Sequence, residues 1–274
     1  MTDAGPPTLL DRHLVDAGLA RARAEARELI QAGAVQVAGA RVTKPAYAVA
    51  AGESVVVAYP EPRWVGRGAR KLDHALSVWE PRGLRVRDRR CLDVGASTGG
   101  FTQVLLARGA RQVVALDVGR DQLAPELRAD PRVIDLPGTH VRDATPSMIG
   151  GHVEALVADL SFISLASVLP LLPRLCLPGA ALVLLVKPQF EVGREALGHA
   201  GVVRSATARR HAVEAVLRGS VQAGLGIVDL IPSPVQGASG NREYLLWAAP
   251  ERPGMMELSD AQARVAAITA KESR

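Results

Sequence analysis

Four charged residues stand where the sequence predicts the ends of strands or the head of a helix. Asp159 follows the apolar run 155–158, and Lys187 follows the apolar run 181–186. The carboxyl ends of strands in an open α/β sheet form the rim where ligands bind. Glu243 begins the last predicted strand, which reaches the same rim if it is antiparallel, and Lys71 lies at the head of the helix before the first strand. Two amines and two carboxylates could therefore converge and hold or move a proton.

Each of these residues also has a simpler interpretation. Asp159 could cap a following helix near Ser161 and Ser164, as acids after a strand often do. A lysine at a strand end is usually solvated. Arg70 could be the functional residue in place of its neighbour Lys71.

A run of small residues predicts a cofactor site. Positions 91–101 read as a buried strand, a turn and the start of a helix, and Asp117 ends the next strand. A dinucleotide-binding fingerprint would have Gly at position 97, where this chain has Ser. Asp93 suits a ligand with an ammonium group and Asp117 suits ribose hydroxyls, which together indicate S-adenosylmethionine. The alternative is an ordinary strand–turn–helix. The contacts predicted from this pattern are Asp93, Gly95, Ser97, Thr98, Gly99, Gly100, Phe101 and Asp117.

Composition limits the other possibilities. Of 274 residues, 48% are hydrophobic and only 3% aromatic, which predicts an aliphatic core. The two cysteines, Cys91 and Cys176, favour a reducing compartment without disulfides, and no Cys/His cluster has zinc spacing, so we expect no metal. The apolar segment 163–186 approaches spanning length, but Pro170 and Pro173 interrupt it. With no leader-like N-terminus, we expect a cytoplasmic protein that does not enter a membrane.

The positive charge is concentrated before the small-residue motif. Residues 1–90 hold 15 Lys/Arg against 10 Asp/Glu, whereas residues 91–274 hold 18 of each. A basic surface beside a cofactor pocket indicates a phosphate-backbone partner. A solvated basic face is the alternative.

The pattern predicts two domains. Residues 1–60 hold two helices, a hairpin around 38–40 and a closing strand, residues 61–65 form a linker, and residues 66–274 alternate between strands and helices. We expect a mostly parallel, seven-stranded, Rossmann-like class I methyltransferase sheet whose last strand is antiparallel, because no helix joins the final two strands. The strands are predicted at 90–95, 112–117, 132–136, 153–158, 180–186, 226–231 and 243–248, and the helices near 70–80, 98–108, 121–129, 164–173 and 206–223.

The first sixty residues resemble the RNA-binding domain named after protein four of the small ribosomal subunit. The resemblance rests on 10–14, the basic second helix, 33–37, 44–45 and the closing valine-rich strand. In such domains the basic helix and the hairpin face RNA. The predicted RNA-binding residues, which include two that follow the linker, are Arg12, Arg21, Arg23, Arg27, Arg41, Lys44, Arg67 and Arg70.

The remainder resembles a known enzyme family. Lys71, Asp159, Lys187 and Glu243 are similar to the catalytic tetrad of FtsJ-type 2′-O-ribose methyltransferases. The segments 67–72, 93–102, 158–165, 186–191 and 240–244 resemble the haemolysin-A-like (TlyA) ribosomal RNA methyltransferases over nearly the whole chain. The chain departs from the family in having Gly66 where Ser is usual and His140 where Asn would be expected near the adenine. The resemblance implies that His140, Val141 and Asp159 also contact the cofactor, and the alternative for His140 is a surface loop residue.

The resemblance implies methylation of ribose 2′-hydroxyls, on cytidines in the best-known members, with ribosomal RNA or ribosomal subunits as partner and the protein acting as a monomer. Lys187 would be the base or the hydroxyl orienter, held by Asp159, while Lys71 and Glu243 would position the ribose and the adjacent phosphate. Two other classes stay open: a ribosome-assembly factor that binds RNA without catalysis, and a membrane-damaging haemolysin. The sequence leaves the nucleotide and the subunit open.

Overall fold

The computed structural model describes residues 7–59, 63–193, 195, 197–198, 201–237, 239–250 and 254–272. The chain divides into two compact units, Met1–Trp64 and Val65–Arg274. The division falls inside the linker proposed at 61–65, of which residues 61 and 62 lie outside the described part.

The first unit is a small α/β module. Its elements are β1 (Thr8–Leu9), α1 (Leu10–Asp16), α2 (Arg23–Gln31), β2 (Val35–Val37), β3 (Ala40–Val42), β4 (Ala48–Val49) and β5 (Val55–Val57). The antiparallel sheet has the order β3-β2-β5, and β1 pairs with β4. Leu10, Leu14, Ile30 and Val35 are fully buried between the helices and the sheet. The predicted hairpin is present, and the second helix, predicted over about 20–32, begins at Arg23 and ends at Gln31.

The second unit is built on one seven-stranded sheet. Its strands are β6 (Arg90–Val94), β7 (Gln112–Asp117), β8 (Val133–Pro137), β9 (Val153–Ala158), β10 (Cys176–Val186), β11 (Gly226–Pro232) and β12 (Tyr244–Ala249). Their order is β11-β12-β10-β9-β6-β7-β8. The pairs from β10 to β8 are parallel, and β12 is antiparallel to both neighbours. The predicted class I methyltransferase sheet is therefore confirmed, including its antiparallel last strand.

Helices cover this sheet. They are α3 (Gly68–Trp79), α4 (Gly100–Ala107), α5 (Pro125–Arg128), α6 (Pro188–Glu191), α7 (Ala206–Gln222) and α8 (Leu258–Lys271). The core is aliphatic: Leu92, Leu156, Leu184 and Leu246 lie on the central strands with no exposed surface. No helix in the described ranges combines the length and the apolar character that a membrane span requires.

The structure corrects several of the predicted elements, and the short helix α6 was not among those predicted. The helix predicted at 164–173 is absent, and two short 3-10 turns, Leu169–Leu171 and Pro173–Leu175, replace it because their prolines remove the amide protons that a continuous α-helix needs. The final helix, α8, was not predicted. The last strand starts at Tyr244, so Glu243 lies immediately before it instead of being its first residue.

Candidate active site

A cleft of about 520 Å³ opens in the second unit at the carboxyl ends of the central strands. Ligand pockets in proteins commonly measure about 300–1,000 Å³, so the cleft has the capacity for a small molecule. All four residues of the predicted tetrad line it. The other lining residues are Gly66, Arg67, Gly68, Gly95, Ala96, Ser97, Thr98, Gly100, Phe101, Ser161, Phe162, Gln189, Phe190, Gly201, Gly237, Ser239 and Asn241.

Lys71 and Glu243 form a buried ion pair on one wall. The first turn of α3 carries Lys71, and its Nζ lies 2.5 Å from Oε2 of Glu243. Only 6% of Lys71 and 4% of Glu243 is exposed, so the partner that each supplies is what makes burial of its charge tolerable. A Cβ on Gly237 would come 2.5 Å from Oε1 of Glu243, which explains the glycine there. The alternative that Arg70 replaces Lys71 finds no support, because Arg70 is exposed and does not line the cleft.

Lys187 and Asp159 form a second ion pair in the same cleft. Lys187 directly follows β10, and its Nζ lies 2.6 Å from Oδ1 of Asp159, which directly follows β9. The Nζ also donates a hydrogen bond to Oγ of Ser161 at 2.9 Å. Because β9 and β10 are parallel neighbours, their ends carry these two side chains to the same rim.

The alternative role of Asp159 as a helix cap is wrong. No helix follows it directly, and the loop amide of Leu165 donates instead to Oε1 of Glu191 at 2.6 Å. Glu191 also accepts a hydrogen bond from Oγ of Ser164. The side chain of Asp159 is therefore available to Lys187.

The turn after β6 brings the backbone close to the cleft. Gly95 has φ +85°, and a Cβ there would come 2.6 Å from the carbonyl oxygen of Asp159, so only glycine fits. Ser97 also has a positive φ, of 49°. Its amide donates to Oδ2 of Asp117 at 2.8 Å, while the amide of Gly119 donates to Oδ1 at 2.7 Å. Asp117 therefore fixes the turn, and its carboxylate retains lone pairs for further donors.

Asp93 is a fully buried carboxylate beneath this turn. Its Oδ2 accepts a hydrogen bond from Oγ1 of Thr102 at 2.7 Å, while its Oδ1 is buried and has no hydrogen-bond partner in the described part of the chain. Burial raises the pKa of Asp93 to about 7, the Thr102 bond opposes this rise, and the charge of Asp159 adds to it. A buried acceptor without a donor fits a ligand that brings a cationic group.

The remaining predicted cofactor contacts divide between the cleft and its surroundings. Gly99, Asp93, Asp117, His140 and Val141 do not line the cleft, whereas the others do. Val141 is 3% exposed and packs in the core. The amide of Arg142 donates to Nδ1 of His140 at 3.0 Å. The sequence analysis missed Ser161, Phe162, Gln189 and Asn241, and their closeness in sequence to Asp159, Lys187 and Glu243 is the signal that could have identified them.

The predicted RNA-binding arginines of the first unit are partly engaged with acids. Arg23 and Arg27 bond Oδ2 of the buried Asp11 at 2.8 and 2.9 Å. Burial alone would raise the pKa of Asp11, but the hydrogen bonds from Arg27 and Arg23 outweigh it and lower the pKa. Both guanidinium side chains remain 54% exposed and can meet a phosphate.

Among the other predicted RNA-binding residues, two arginines form longer ion pairs with acids four positions along the chain. Arg12 lies 3.4 Å from Asp16, and Arg21 lies 3.6 Å from Glu25. Arg41 donates to the carbonyl of Ala32. Lys44, Arg67 and Arg70 are exposed.

The described residues hold no group of three or more His, Cys, Asp or Glu side chains that could bind a metal ion. Cys91 and Cys176 are free and buried, and burial raises the pKa of both thiols to about 12.

Comparison with known proteins adds to this geometry. The FtsJ-like methyltransferase family matches residues 64–249, and the S4 domain matches residues 9–55. The chain is 52% identical to "16S/23S rRNA (cytidine-2'-O)-methyltransferase TlyA" of Mycobacterium tuberculosis over 239 residues, which cover 87% of this chain and 88% of the relative. It is 34% identical to "Hemolysin A" of Brachyspira hyodysenteriae, over 86% of this chain and 97% of the relative.

A solved structure of a haemolysin-named protein from Streptococcus thermophilus has a TM-score of 0.73 at 35% identity, over 98% of both chains. These matches and the seven-stranded sheet agree with each other. The chain belongs to the TlyA group of FtsJ-like methyltransferases that carry an N-terminal S4 domain.

Proposed function

We propose that this protein transfers a methyl group from S-adenosylmethionine to a ribose 2′-hydroxyl of ribosomal RNA, with cytidine as the target nucleoside. The observation that carries the proposal is the presence of two Lys–carboxylate ion pairs, Lys71–Glu243 and Lys187–Asp159, in one cleft beside a glycine-rich turn. The names of the relatives supply the RNA and the nucleoside.

The residues around the turn fit the cofactor. The donorless Oδ1 of Asp93 suits an ammonium group, and Gly95 leaves space that a side chain would fill. Asp117 at the end of β7 suits ribose hydroxyls. When bound, S-adenosylmethionine supplies an electrophilic methyl group. The residues assigned to holding it are Asp93, Gly95, Ser97, Thr98, Gly99, Gly100, Phe101, Asp117, His140, Val141 and Asp159.

The residues of the cleft would activate and orient the ribose hydroxyl. A ribose hydroxyl is a weak nucleophile, and Lys187 is the group that takes its proton or fixes its direction. Asp159 lies 2.6 Å from Nζ and balances the positive charge that Lys187 carries when protonated. Lys71 and Glu243 hold the ribose and the neighbouring phosphate. Holding the ribose in this way raises the reaction rate, because correctly oriented reactants react far faster than freely diffusing ones.

The first unit would dock the RNA. It matches the S4 domain, and its exposed arginines and Lys44 are suited to phosphate contacts. We propose that residues 1–60 act as the RNA-binding domain, 61–65 as the linker and 66–274 as the catalytic domain. A ribosomal substrate places the protein in the cytoplasm, and one chain carries the complete tetrad, so we expect a monomer to suffice.

The test is methyl transfer from radiolabelled S-adenosylmethionine to isolated ribosomal subunits, with the 2′-O-methyl sites mapped afterwards. Lys187→Ala should lower incorporation by about 10²–10⁴-fold, whereas Lys271→Ala, on the last turn of α8, should leave it near the wild-type level. Binding of subunits without any methyl transfer by the wild-type chain would mean an assembly factor. Lysis of red cells by the purified chain would favour a membrane-damaging protein.

A further inference from the structure

Two side chains, Asp159 and Ser161, contact the amine of Lys187, and their effects on that amine differ. The Nζ lies 2.6 Å from Oδ1 of Asp159, but this oxygen accepts no hydrogen bond from any described residue, so the contact is a close ion pair with poor alignment. The hydrogen bond of Nζ goes to Oγ of Ser161 at 2.9 Å. Asp159 therefore balances the positive charge of the amine, and the hydrogen bond to Ser161 fixes the orientation of its N–H bonds.

The orientation of the amine matters most when the amine is neutral and can accept a proton. A neutral amine has two N–H bonds and one lone pair, and only the lone pair can accept a proton. Asp159 offers an acceptor oxygen, and Ser161, when it accepts as it does here, offers a second. If both N–H bonds turn to these oxygens, the lone pair takes the third direction. Because only 8% of Lys187 is exposed, little water competes for that direction, and the ring of Phe190, whose centroid lies 5.8 Å from Nζ, offers no strong donor there.

The turn that carries Ser161 is held from both sides. The amide of Asp159 donates to the carbonyl of Val94, and the loop beyond is tied by Glu191, which accepts hydrogen bonds from Ser164 and Leu165. Phe162, next to Ser161, has φ +63°, an unfavourable conformation for an aromatic residue. Such conformations persist where the surroundings impose them, and often at functional sites.

We propose that Ser161 is a positioning residue that orients the amine of Lys187 so that its lone pair faces the substrate hydroxyl. The role in turnover rests on the proposed methyl transfer, whereas the hydrogen bond can be tested without it. A change at Ser161 leaves the charged groups of the site in place: Asp159 beside the amine, Arg67, Lys71 and Glu243 in the lining of the same cleft, and Asp93 on β6 and Glu191 on α6.

The first measurement is the titration of the lysine amines by NMR in the full-length protein with 13Cε-labelled lysine, without RNA or cofactor. The lysines are Lys44, Lys71, Lys187 and Lys271, so the spectrum is simple and Lys→Arg variants assign it. A hydrogen-bond acceptor favours the charged form of the amine. Ser161→Ala removes the acceptor at 2.9 Å and should therefore move the titration midpoint of Lys187 to lower pH, whereas Ser161→Thr keeps a hydroxyl there and should leave the midpoint near wild type.

The second measurement is kcat against pH for methyl transfer to ribosomal subunits. Ser161→Ala should lower kcat by about 10- to 100-fold, as expected for a lost hydrogen bond to a charged group, with the KM of both substrates little changed. Ser161→Thr should retain kcat within a few-fold. The matched control is Ser164→Ala, which loosens the same loop without touching Lys187 and should leave the NMR midpoint unchanged.

The two measurements separate the possible failures. An unmoved midpoint in Ser161→Ala overturns the positioning role, whatever happens to kcat. A lowered midpoint of Lys187 in Ser161→Ala with wild-type kcat also overturns the positioning role, because the Ser161 hydroxyl would then bind the amine without orienting it for catalysis. A wild-type chain that transfers no methyl group overturns the proposed function, and the role of Ser161 in it, at the outset.

Discussion

Replacing Asp93 by Asn should stabilise the protein while it damages cofactor binding. Asp93 is fully buried, and burial raises its pKa from 3.8 to about 7. Between these pH values the folded chain holds a proton that the unfolded chain has released, so the free energy of unfolding falls as pH rises through this window. At about 1.4 kcal/mol per pH unit, the ionised carboxylate costs about 4 kcal/mol above pH 7. Asn carries no such charge, and its amide oxygen can still accept from Thr102.

The assay is urea unfolding of the cofactor-free protein at several pH values. The stability advantage of Asp93→Asn over wild type should widen by about 3 kcal/mol between pH 5 and pH 8, because the charge is only partly expressed at the lower value. Asp130→Asn is the matched control of opposite sign, since a hydrogen bond from Arg132 lowers the pKa of Asp130. An advantage that stays constant over this pH range would refute the assignment of a raised pKa to Asp93.

Cofactor binding completes the test. If the ionised carboxylate meets a cationic group, the affinity of wild type for S-adenosylmethionine should rise with pH up to about 7. Asp93→Asn should bind more weakly and lose this pH dependence, despite its greater stability. Calorimetry that finds equal affinities would remove Asp93 from the cofactor site.

Three further predictions concern single side chains. Lys187→Ala should lower turnover by about 10²–10⁴-fold, the usual loss for an acid–base group, while cofactor affinity stays within a few-fold of wild type. Lys187→Arg should not restore turnover, because a guanidinium keeps its proton. Near-normal turnover of Lys187→Arg would exclude the role of Lys187 as proton acceptor. Asp117→Ala should weaken S-adenosylmethionine binding by about 1–3 kcal/mol in calorimetry, and unchanged binding would contradict its role. Glu272→Gln should destabilise the chain to urea by about 3–5 kcal/mol because it leaves the buried Arg209 without its acid, 3.4 Å away, whereas the exposed Asp260→Asn on α8 should change little.

The sheet could be predicted because its strands are apolar runs that end at turn residues. The runs before Asp159 and Lys187 are buried strands, and the helix-free link before Glu243 gives the antiparallel last strand. A helix was wrongly predicted at 164–173 because the apolar spacing of this segment suits a helix. Its prolines limit the chain to short 3-10 turns. Helix α8 was missed because much of its sequence is small or polar, and only Ala261, Val265 and Thr269 are buried.

The tetrad could be predicted from strand ends, but its supporting residues could not. A strand end fixes where Asp159 and Lys187 emerge, and parallel pairing then brings them together. The hydrogen bond from Lys187 to Ser161 depends on a turn in which Phe162 takes a positive φ, and no sequence pattern indicates that conformation. The orphaned oxygen of Asp93 likewise depends on which side chains surround it.

The charges of the cleft themselves argue that it was shaped for chemistry and not for stability. Removing a lysine and a carboxylate from water is costly, and well-packed apolar residues often serve stability as well as a buried ion pair does. This chain nevertheless buries one such pair, Lys71–Glu243, and places a second, partly buried pair, Lys187–Asp159, in the same cleft, and the formal charges within each pair cancel. The unbalanced carboxylates, Asp93 and Asp117, lie toward the glycine-rich turn. A site of this kind favours a cationic ligand at the turn and a neutral hydroxyl at the lysines, which are the two reactants that methyl transfer requires.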